Sequence, residues 1–159
     1  MKMLKKPWKP NKKVNSLLLP NLLVIGQFLF IFLLLFTANI FAVNFVLFSI
    51  QILGIILGLW SIYIMQIGNF NITPIPVENG ELRKNGPYSL IRHPMYTSIF
   101  LFCIPQLIGY FSYLRLVYLV CLILVLWFKM NYEETKLRTA YSDYDAYSKK
   151  TKRFIPYLY

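Results

Sequence analysis

Only 14% of the 159 residues of this chain are charged, while 57% are hydrophobic and the formal net charge is +11. Soluble domains of this length keep roughly a quarter of their residues charged, so the composition excludes a water-soluble fold and indicates a membrane protein. At about 20 residues per crossing, the length allows one domain of about four spans and excludes a separate catalytic domain.

Two uncharged apolar runs, residues 17–36 and 42–67, are each long enough to cross a bilayer. No A-x-A cleavage site follows the first run, and the second begins almost at once, so the first is interpreted as a retained helix rather than a secretory signal. The link between the runs is short and uncharged. It predicts a tight antiparallel hairpin over residues 17–67, preceded by a basic segment, residues 1–16.

A loop rich in proline and glycine is predicted for residues 68–95, because these residues break helix and strand alike. Two shorter apolar runs follow at residues 97–109 and 114–128, and the first contains Pro105. They predict a helical hairpin over residues 96–130 that is kinked, tilted or lengthened by its polar flanks. The whole chain is therefore expected to be an all-α bundle of about four membrane spans, with residues 131–159 as its tail.

The distribution of positive charge predicts the orientation of the bundle. Six of the 17 Lys and Arg residues precede the first span, three lie in the loop, seven lie from Lys129 onwards, and only Arg115 lies in a connection on the opposite side. The positive-inside rule then places both termini and the loop in the cytoplasm. Basic residues beside a membrane also attract anionic lipids, and no folded basic surface suggests nucleic-acid binding.

Cys103 and Cys121 lie inside apolar runs, where they are expected to be small buried hydrophobic residues. Two thiols are too few for a disulfide framework or a zinc site, and no metal is predicted.

Polar residues gather in two places that share one membrane face. The stretch "NGPYSLIRHPMY", residues 85–96, contains the only histidine, His93, and the run "EETKL" begins at Glu133 after the fourth apolar run. On a continuing helix Lys129 and Glu133 are four residues apart and share a face. In an antiparallel hairpin His93 and Tyr96 come next to the same end, so the two clusters are expected to converge.

In this order, "GPYSLIRHPMY", "EETKL" and "YSDYDAYSKKTKRFIP" resemble the cofactor-binding region of the isoprenylcysteine carboxyl methyltransferases and the related phospholipid N-methyltransferases. The resemblance covers residues 80–156. It implies an integral membrane enzyme that uses S-adenosylmethionine and methylates a lipidic or prenylated acceptor at a carboxylate oxygen or an amine nitrogen.

The resemblance also implies roles for particular residues. His93 and Tyr96 would bind the cofactor, Tyr88 and the segment 80–83 would close over it, and Pro94 would start the third helix, where proline is tolerated. The implied cofactor-binding set is Gly80, Glu81, Leu82, Arg83, Tyr88, His93, Pro94, Met95, Tyr96, Glu133 and Glu134. The implied catalytic residues are Glu133, Lys129 and Arg92.

Lys129 departs from the carboxyl methyltransferase pattern, which has an arginine at this position to meet the acceptor carboxylate. Lysine keeps the charge but loses the planar, two-pronged geometry, so the type of acceptor stays open. Three roles are open for Arg92: bonds to backbone carbonyls, an ion pair with a glutamate of the second cluster, or contact with lipid phosphate.

Two other functions remain open. Membrane sterol reductases that bind NADPH share a similar Arg-His-Pro element and an ending near Ile-Pro, although they lack the Glu-Glu pair and carry more spans. A non-catalytic membrane protein on the same scaffold is the other alternative. In the tail, residues 135–150 carry Leu137, Tyr141, Tyr144 and Tyr147 at helical spacing, which predicts either an interfacial amphipathic helix or a helix packed on the hairpin.

Overall fold

The computed structural model describes residues 15–66, 73–76 and 80–155, with side chains from residue 18 onwards. These residues form the predicted all-α fold. Five α-helices follow one another as α1 (Asn15–Phe36), α2 (Phe45–Met65), α3 (Pro94–Gly109), α4 (Tyr113–Ala140) and α5 (Tyr144–Lys150), with a 3₁₀ turn at Gly86–Ser89 before α3.

Three of the helices are long and apolar enough to cross a membrane: Leu18–Phe36 in α1, Phe45–Met65, which is α2, and Tyr113–Ala140, which is α4. Large apolar side chains such as Leu22, Val46 and Leu124 are exposed on their outer faces, as expected for surfaces that contact lipid. The 16 residues of α3 rise only about 24 Å, less than the roughly 30 Å of a hydrocarbon core. The cytoplasmic position of both termini and of the loop stays a prediction.

The fourth apolar run is lengthened by its polar flank. It was predicted over residues 114–128, but α4 continues through Lys129 and both glutamates to Ala140, giving 28 residues. At its beginning the Ser112 hydroxyl accepts a hydrogen bond from the Arg115 amide at 3.2 Å, which caps the helix. The long α4 carries the second polar cluster on the same rigid element as the span.

Helix pairing differs from the tight hairpin expected over residues 17–67. α2 packs mainly against α3 and α1 against α4, whereas α1 and α2 make at most slight contact. Gln51 of α2 donates to the carbonyls of Ile40 and Phe102 and accepts from the Ala42 amide, so it fixes the α1–α2 link against α3. The link therefore directs α2 away from α1 and towards α3.

Close approach of α2 and α3 depends on Gly54. A Cβ atom at this position would lie 3.0 Å from the Ser98 carbonyl oxygen and 3.0 Å from Leu101 Cβ, whereas one at Gly26 would lie 3.4 Å from the nearest atom, Val125 Cγ2. Gly54→Ala should therefore lower the free energy of unfolding by about 1–3 kcal/mol relative to Gly26→Ala. Unfolding of both variants in detergent tests this; equal midpoints would contradict the tight packing.

The tail helix is broken where a continuous helix over residues 135–150 was predicted. α4 ends at Ala140, and α5 begins at Tyr144 after a turn. Tyr144 and Tyr147 are both buried, so these tyrosines pack on the protein, as one of the two interpretations held. An interfacial position for α5 stays a prediction.

Candidate cofactor site at one end of the bundle

The segment that leads into α3 is bent sharply before the helix starts. Gly86 has φ of +56°, a left-handed conformation that glycine adopts without steric cost, and a Cβ atom there would lie 3.0 Å from Ile64 Cγ1 of α2. Pro94 occupies the first turn of α3, as predicted, and His93 is the residue just before it. The His93 ring is thus placed at the helix start, with its carbonyl accepting from the Tyr96 and Thr97 amides.

Residues 151–155 of the tail lie beside this segment and hold it by backbone hydrogen bonds. The amides of Arg92 and His93 donate to the carbonyls of Lys152 and Arg153 at 2.7 and 3.1 Å, and the Lys152 amide donates to Leu90. Thr97 Oγ1 of α3 also donates to the Phe154 carbonyl at 2.9 Å. The start of α3 and the tail therefore form one unit.

A buried tyrosine adds a further bond between α5 and the segment before α3. Tyr147 Oη donates to the Tyr88 carbonyl at 2.7 Å. Burial raises the pKa of Tyr147 to about 12, so the phenol keeps its proton and stays a donor at neutral pH.

Glu134 is the centre of an ion-pair network. Only 1% of its side chain is exposed, and its carboxylate lies 3.0 Å from Arg92 Nε, 3.2 Å from Arg153 Nη2 and 3.7 Å from Arg138 Nη2. His93 Nε2 is 3.2 Å from the same carboxylate. Buried carboxylates persist only when they are paired and hydrogen-bonded in this way, so Glu134 joins α4 to the start of α3 and to the tail.

Arg92 adopts two of the three roles left open for it. Besides its pair with Glu134, its Nη1 donates to the carbonyl of Ser148 at 2.7 Å and to that of Thr151. Both carbonyls belong to the end of α5 and the residue after it. The guanidinium therefore fixes α5 against the Glu134 carboxylate.

Glu133 has a different environment from its neighbour. Its side chain is 28% exposed, and Tyr96 Oη donates to its Oε2 at 2.8 Å. His93 Nδ1 lies 3.8 Å from the same oxygen, and the His93 and Tyr96 rings stack with centroids 5.2 Å apart. The two predicted polar clusters therefore do converge, with His93 between the two glutamates.

Lys129 is buried one turn before Glu133 and contacts a residue that sequence reasoning missed. Its Nζ donates to Gln27 Oε1 of α1 at 2.6 Å and lies 5.5 Å from the centroid of the Tyr96 ring. Gln27 is the only glutamine of the uncharged apolar run 17–36, and it lies six residues beyond Asn21, in the middle of the run. That isolated polar residue is the signal that could have revealed it.

These side chains border a cavity of about 190 Å³ between α1, α3, α4 and the loop. Of the predicted residues, Gly80 and Glu134 are absent from its lining, and Lys129 and Arg92 are present. Phe28, Met65 and Tyr141 line it without having been predicted as site residues. The predicted cofactor residues that line it are Glu81, Leu82, Arg83, Tyr88, His93, Pro94, Met95, Tyr96 and Glu133.

The side chains that line the cavity fit a ligand that carries a positive charge, a negative charge and hydroxyl groups. Glu133 supplies a carboxylate, and Arg83 supplies a guanidinium whose Nε is buried without a hydrogen-bond partner among the described residues. Tyr88 adds an aromatic wall, and burial raises its pKa well above the usual value. Among the described residues no group of three His, Cys, Asp or Glu side chains is placed to hold a metal ion.

Comparison with known families identifies the family of this chain. The model of the phospholipid methyltransferase family matches residues 43–144. The chain belongs to this family. It is therefore a membrane methyltransferase, and the resemblance found in its motifs is confirmed. No curated protein matches the chain significantly.

The family match places most of the cavity inside the shared part of this methyltransferase. Residues 43–144 include α2, the loop, α3 and α4, and with them His93, Tyr96, Lys129 and both glutamates. Helix α1, with Gln27 and Phe28, and the tail residues 151–155 lie outside the matched residues. The wall of the cavity that α1 forms therefore lies outside the residues that match the family.

Proposed function

We propose that this family member transfers a methyl group from S-adenosylmethionine to a lipidic acceptor, and that the cavity beside Glu133 binds the cofactor. The observation that carries the proposal is the meeting of Glu133, Tyr96 and His93 at that cavity. These residues come from two helices of the family-matched region and combine a carboxylate with two stacked aromatic rings.

The proposed cofactor contacts follow from the charges in the lining. S-adenosylmethionine has ribose hydroxyls and an ammonium group, which would donate to Glu133, and a carboxylate, which would accept from Arg83. Glu133 is suited to this because the Tyr96 hydroxyl holds one of its oxygens while the side chain stays partly exposed. Arg83 is held at the cavity by its 2.8 Å bond to the Gln66 side chain.

We expect the loop to move outward when the whole cofactor binds. The 190 Å³ cavity is smaller than the roughly 300 Å³ at the lower end of pockets that enclose drug-sized ligands. Thr73 and Pro76 of the loop form part of its wall, and the neighbouring residues 67–72 and 77–79 lie outside the described residues. Outward movement of this wall enlarges the cavity without disturbing the Glu134 network.

Bound S-adenosylmethionine supplies an electrophilic methyl: the lone pair of the acceptor oxygen or nitrogen forms a bond to the methyl carbon while the carbon–sulfur bond breaks, leaving its electron pair on sulfur. The contribution of the protein is positioning, which can supply about 7–11 kcal/mol of barrier reduction. An acceptor carboxylate arrives ionised and needs no base. An amine must first lose its proton, and the raised pKa of Tyr88 argues against a tyrosinate there as the base.

The lipidic nature of the acceptor is supported by the α1 side of the cavity. Phe28 lines the cavity and is also 52% exposed on the outer face of α1, which is one of the candidate membrane spans. A lipid chain lying in the bilayer would reach the cavity past this ring. The polar loop borders the cavity elsewhere.

Substitution of Glu133 tests the cofactor site. Glu133→Gln should weaken S-adenosylmethionine binding about tenfold to a hundredfold, because hydrogen bonds to a charged group are worth about 1.5–3 kcal/mol. Equilibrium binding of labelled cofactor to purified protein measures this. Asp145→Asn, an exposed carboxylate paired with Arg138 outside the cavity, is the matched control and should bind as wild type does.

Two further outcomes of this assay would contradict the proposal. Wild-type affinity in the Glu133→Gln variant would place the cofactor elsewhere. Binding of NADPH in place of S-adenosylmethionine would favour a reductase.

Transfer of labelled methyl to a membrane lipid extract tests the acceptor class. We expect the label in a chain-bearing product that partitions into organic solvent, and identification of that product distinguishes O-methylation from N-methylation. If the purified protein methylated only soluble acceptors without a chain, the lipidic acceptor would be wrong.

A further inference from the structure

Lys129 carries a buried ammonium that forms no ion pair with a described carboxylate. The residue is 4% exposed, and among the described side chains no carboxylate oxygen forms an ion pair with its Nζ. Glu133, one turn away, is instead bonded to Tyr96. Removing an ammonium from water costs several kcal/mol unless a partner compensates, so this charge at a cavity wall needs an explanation.

The partner that Lys129 does have is a neutral amide. Gln27 is 7% exposed, and its Oε1 accepts from Nζ at 2.6 Å. An ammonium has three N–H donors, and this bond uses one of them. Both side chains line the cavity, so the amide fixes the ammonium there without cancelling its charge.

Other buried glutamines of the chain do something different. Gln51 and Gln106 bond to backbone groups near the far end of the bundle and are absent from the lining of the cavity. Gln27 instead bonds a charged side chain across 102 residues of sequence. Its helix, α1, lies outside residues 43–144 that match the family.

We propose that Gln27 determines acceptor specificity by holding the Lys129 ammonium at the cavity wall, so that the cavity takes lipids bearing an anionic group, a carboxylate or a phosphate. The inference rests on the proposed function, since it names the acceptor side of that reaction. An ammonium that forms no ion pair in a low-dielectric wall attracts an anion and repels a headgroup that is only cationic. Gln27 is a positioning residue in this arrangement, because it acts through Lys129.

Matched pairs of amphiphiles that differ in charge test the proposal. The first pair is N-acetyl-S-farnesylcysteine and its methyl ester, and the second is phosphatidic acid and diacylglycerol with the same chains. Binding is measured to the full-length protein in micelles of an uncharged detergent. We expect the anion of at least one pair to bind about tenfold to a hundredfold more tightly than its uncharged partner.

Variants of Gln27 test whether the preference for the anion depends on this residue. Gln27→Glu places a carboxylate beside Lys129, so the ratio of the affinities for the anion and its uncharged partner should fall close to one. Gln27→Leu should reduce this ratio, because it releases the ammonium. Gln106→Leu, which removes another buried glutamine away from the cavity, is the control and should keep the wild-type preference even if it lowers stability. A preference ratio is unaffected by a general loss of folded protein, so it separates positioning from support of the fold.

Each outcome has a defined meaning. Preference in the cysteine pair alone identifies a carboxylate, and preference in the lipid pair alone identifies a phosphate. Equal binding within both pairs by the wild type, or an unchanged preference in Gln27→Glu, overturns the inference. S-adenosylmethionine binding by the same preparations separates the two proposals: anion preference without cofactor binding contradicts methyl transfer, whereas cofactor binding without anion preference contradicts only the role of Gln27.

Discussion

Glu134→Ala should destabilise the folded chain by about 3–5 kcal/mol, because removal of one partner from a buried ion pair leaves the other charge uncompensated. Arg92 is the charge left behind; its side chain is only 11% exposed, and that of Glu134 is 1% exposed. Loss of the carboxylate also removes the link from α4 to Arg153 in the tail. Chemical unfolding in detergent, followed by circular dichroism, measures the change.

The neighbouring residue is the control for this prediction. Glu133→Ala removes the same side chain one position earlier on the same helix. It breaks the bond from Tyr96 and the 3.8 Å contact with His93 Nδ1, but it leaves no buried arginine unpaired. The free energy of unfolding should fall by only about 1 kcal/mol in this variant, which is the usual net contribution of one hydrogen bond. Equal losses at the two positions would show that the Glu134 network does not hold the tail.

Local properties of the chain were enough to predict its helices. The uncharged runs at residues 17–36 and 42–67 became α1 (Asn15–Phe36) and α2 (Phe45–Met65), since length and hydropathy are read directly along the sequence. Pro94 marked the start of α3 correctly because proline is well tolerated in the first turn, whereas Pro105 lies inside the same helix. The fourth apolar run ends at Phe128, but α4 continues to Ala140, as the expected lengthening by a polar flank allowed. Residues 131–140 include Glu, Lys, Leu and Arg, which are good helix formers.

The meeting of the two polar clusters also followed from the sequence, but the roles of their members did not. Glu133 and Glu134 are identical in type and adjacent, and successive residues on a helix point about 100° apart. Which of them faces the cavity and which faces the tail depends on how α4 is rotated against α3 and residues 151–155. That rotation is a tertiary property, and so are the bonds of Arg92 to the Ser148 and Thr151 carbonyls.

Helix pairing was the feature that the sequence predicted least well. Connected helices are often neighbours in a membrane bundle, yet α1 packs on α4 and α2 on α3. The 2.6 Å contact between Gln27 and Lys129 depends on that pairing. A lone glutamine in an apolar run shows that some polar partner is needed, but only the arrangement of four helices shows that the partner is Lys129.

His93→Phe should weaken S-adenosylmethionine binding about a hundredfold and reduce methyl transfer accordingly, while membrane insertion is retained. Phenylalanine keeps a ring that can stack on Tyr96, as His93 does with planes 5° apart, but it removes both ring nitrogens. One of these lies 3.8 Å from Glu133 and the other 3.2 Å from Glu134. The loss expected is that of one hydrogen bond between a ring nitrogen and a charged group of the cofactor, about 1.5–3 kcal/mol.

Titration of labelled cofactor against variants prepared in parallel measures this effect. Tyr110→Phe is the control: Tyr110 Oη donates to the Phe41 carbonyl at the far end of the bundle, so its loss should leave cofactor affinity unchanged. Tyr96→Phe should be intermediate, since it frees one Glu133 oxygen but leaves His93 beside the cavity. Affinity within about threefold of wild type in His93→Phe would be too small a change for a hydrogen bond to a charged group. It would remove His93 from the site, and with it one of the three residues whose meeting places the cofactor beside Glu133.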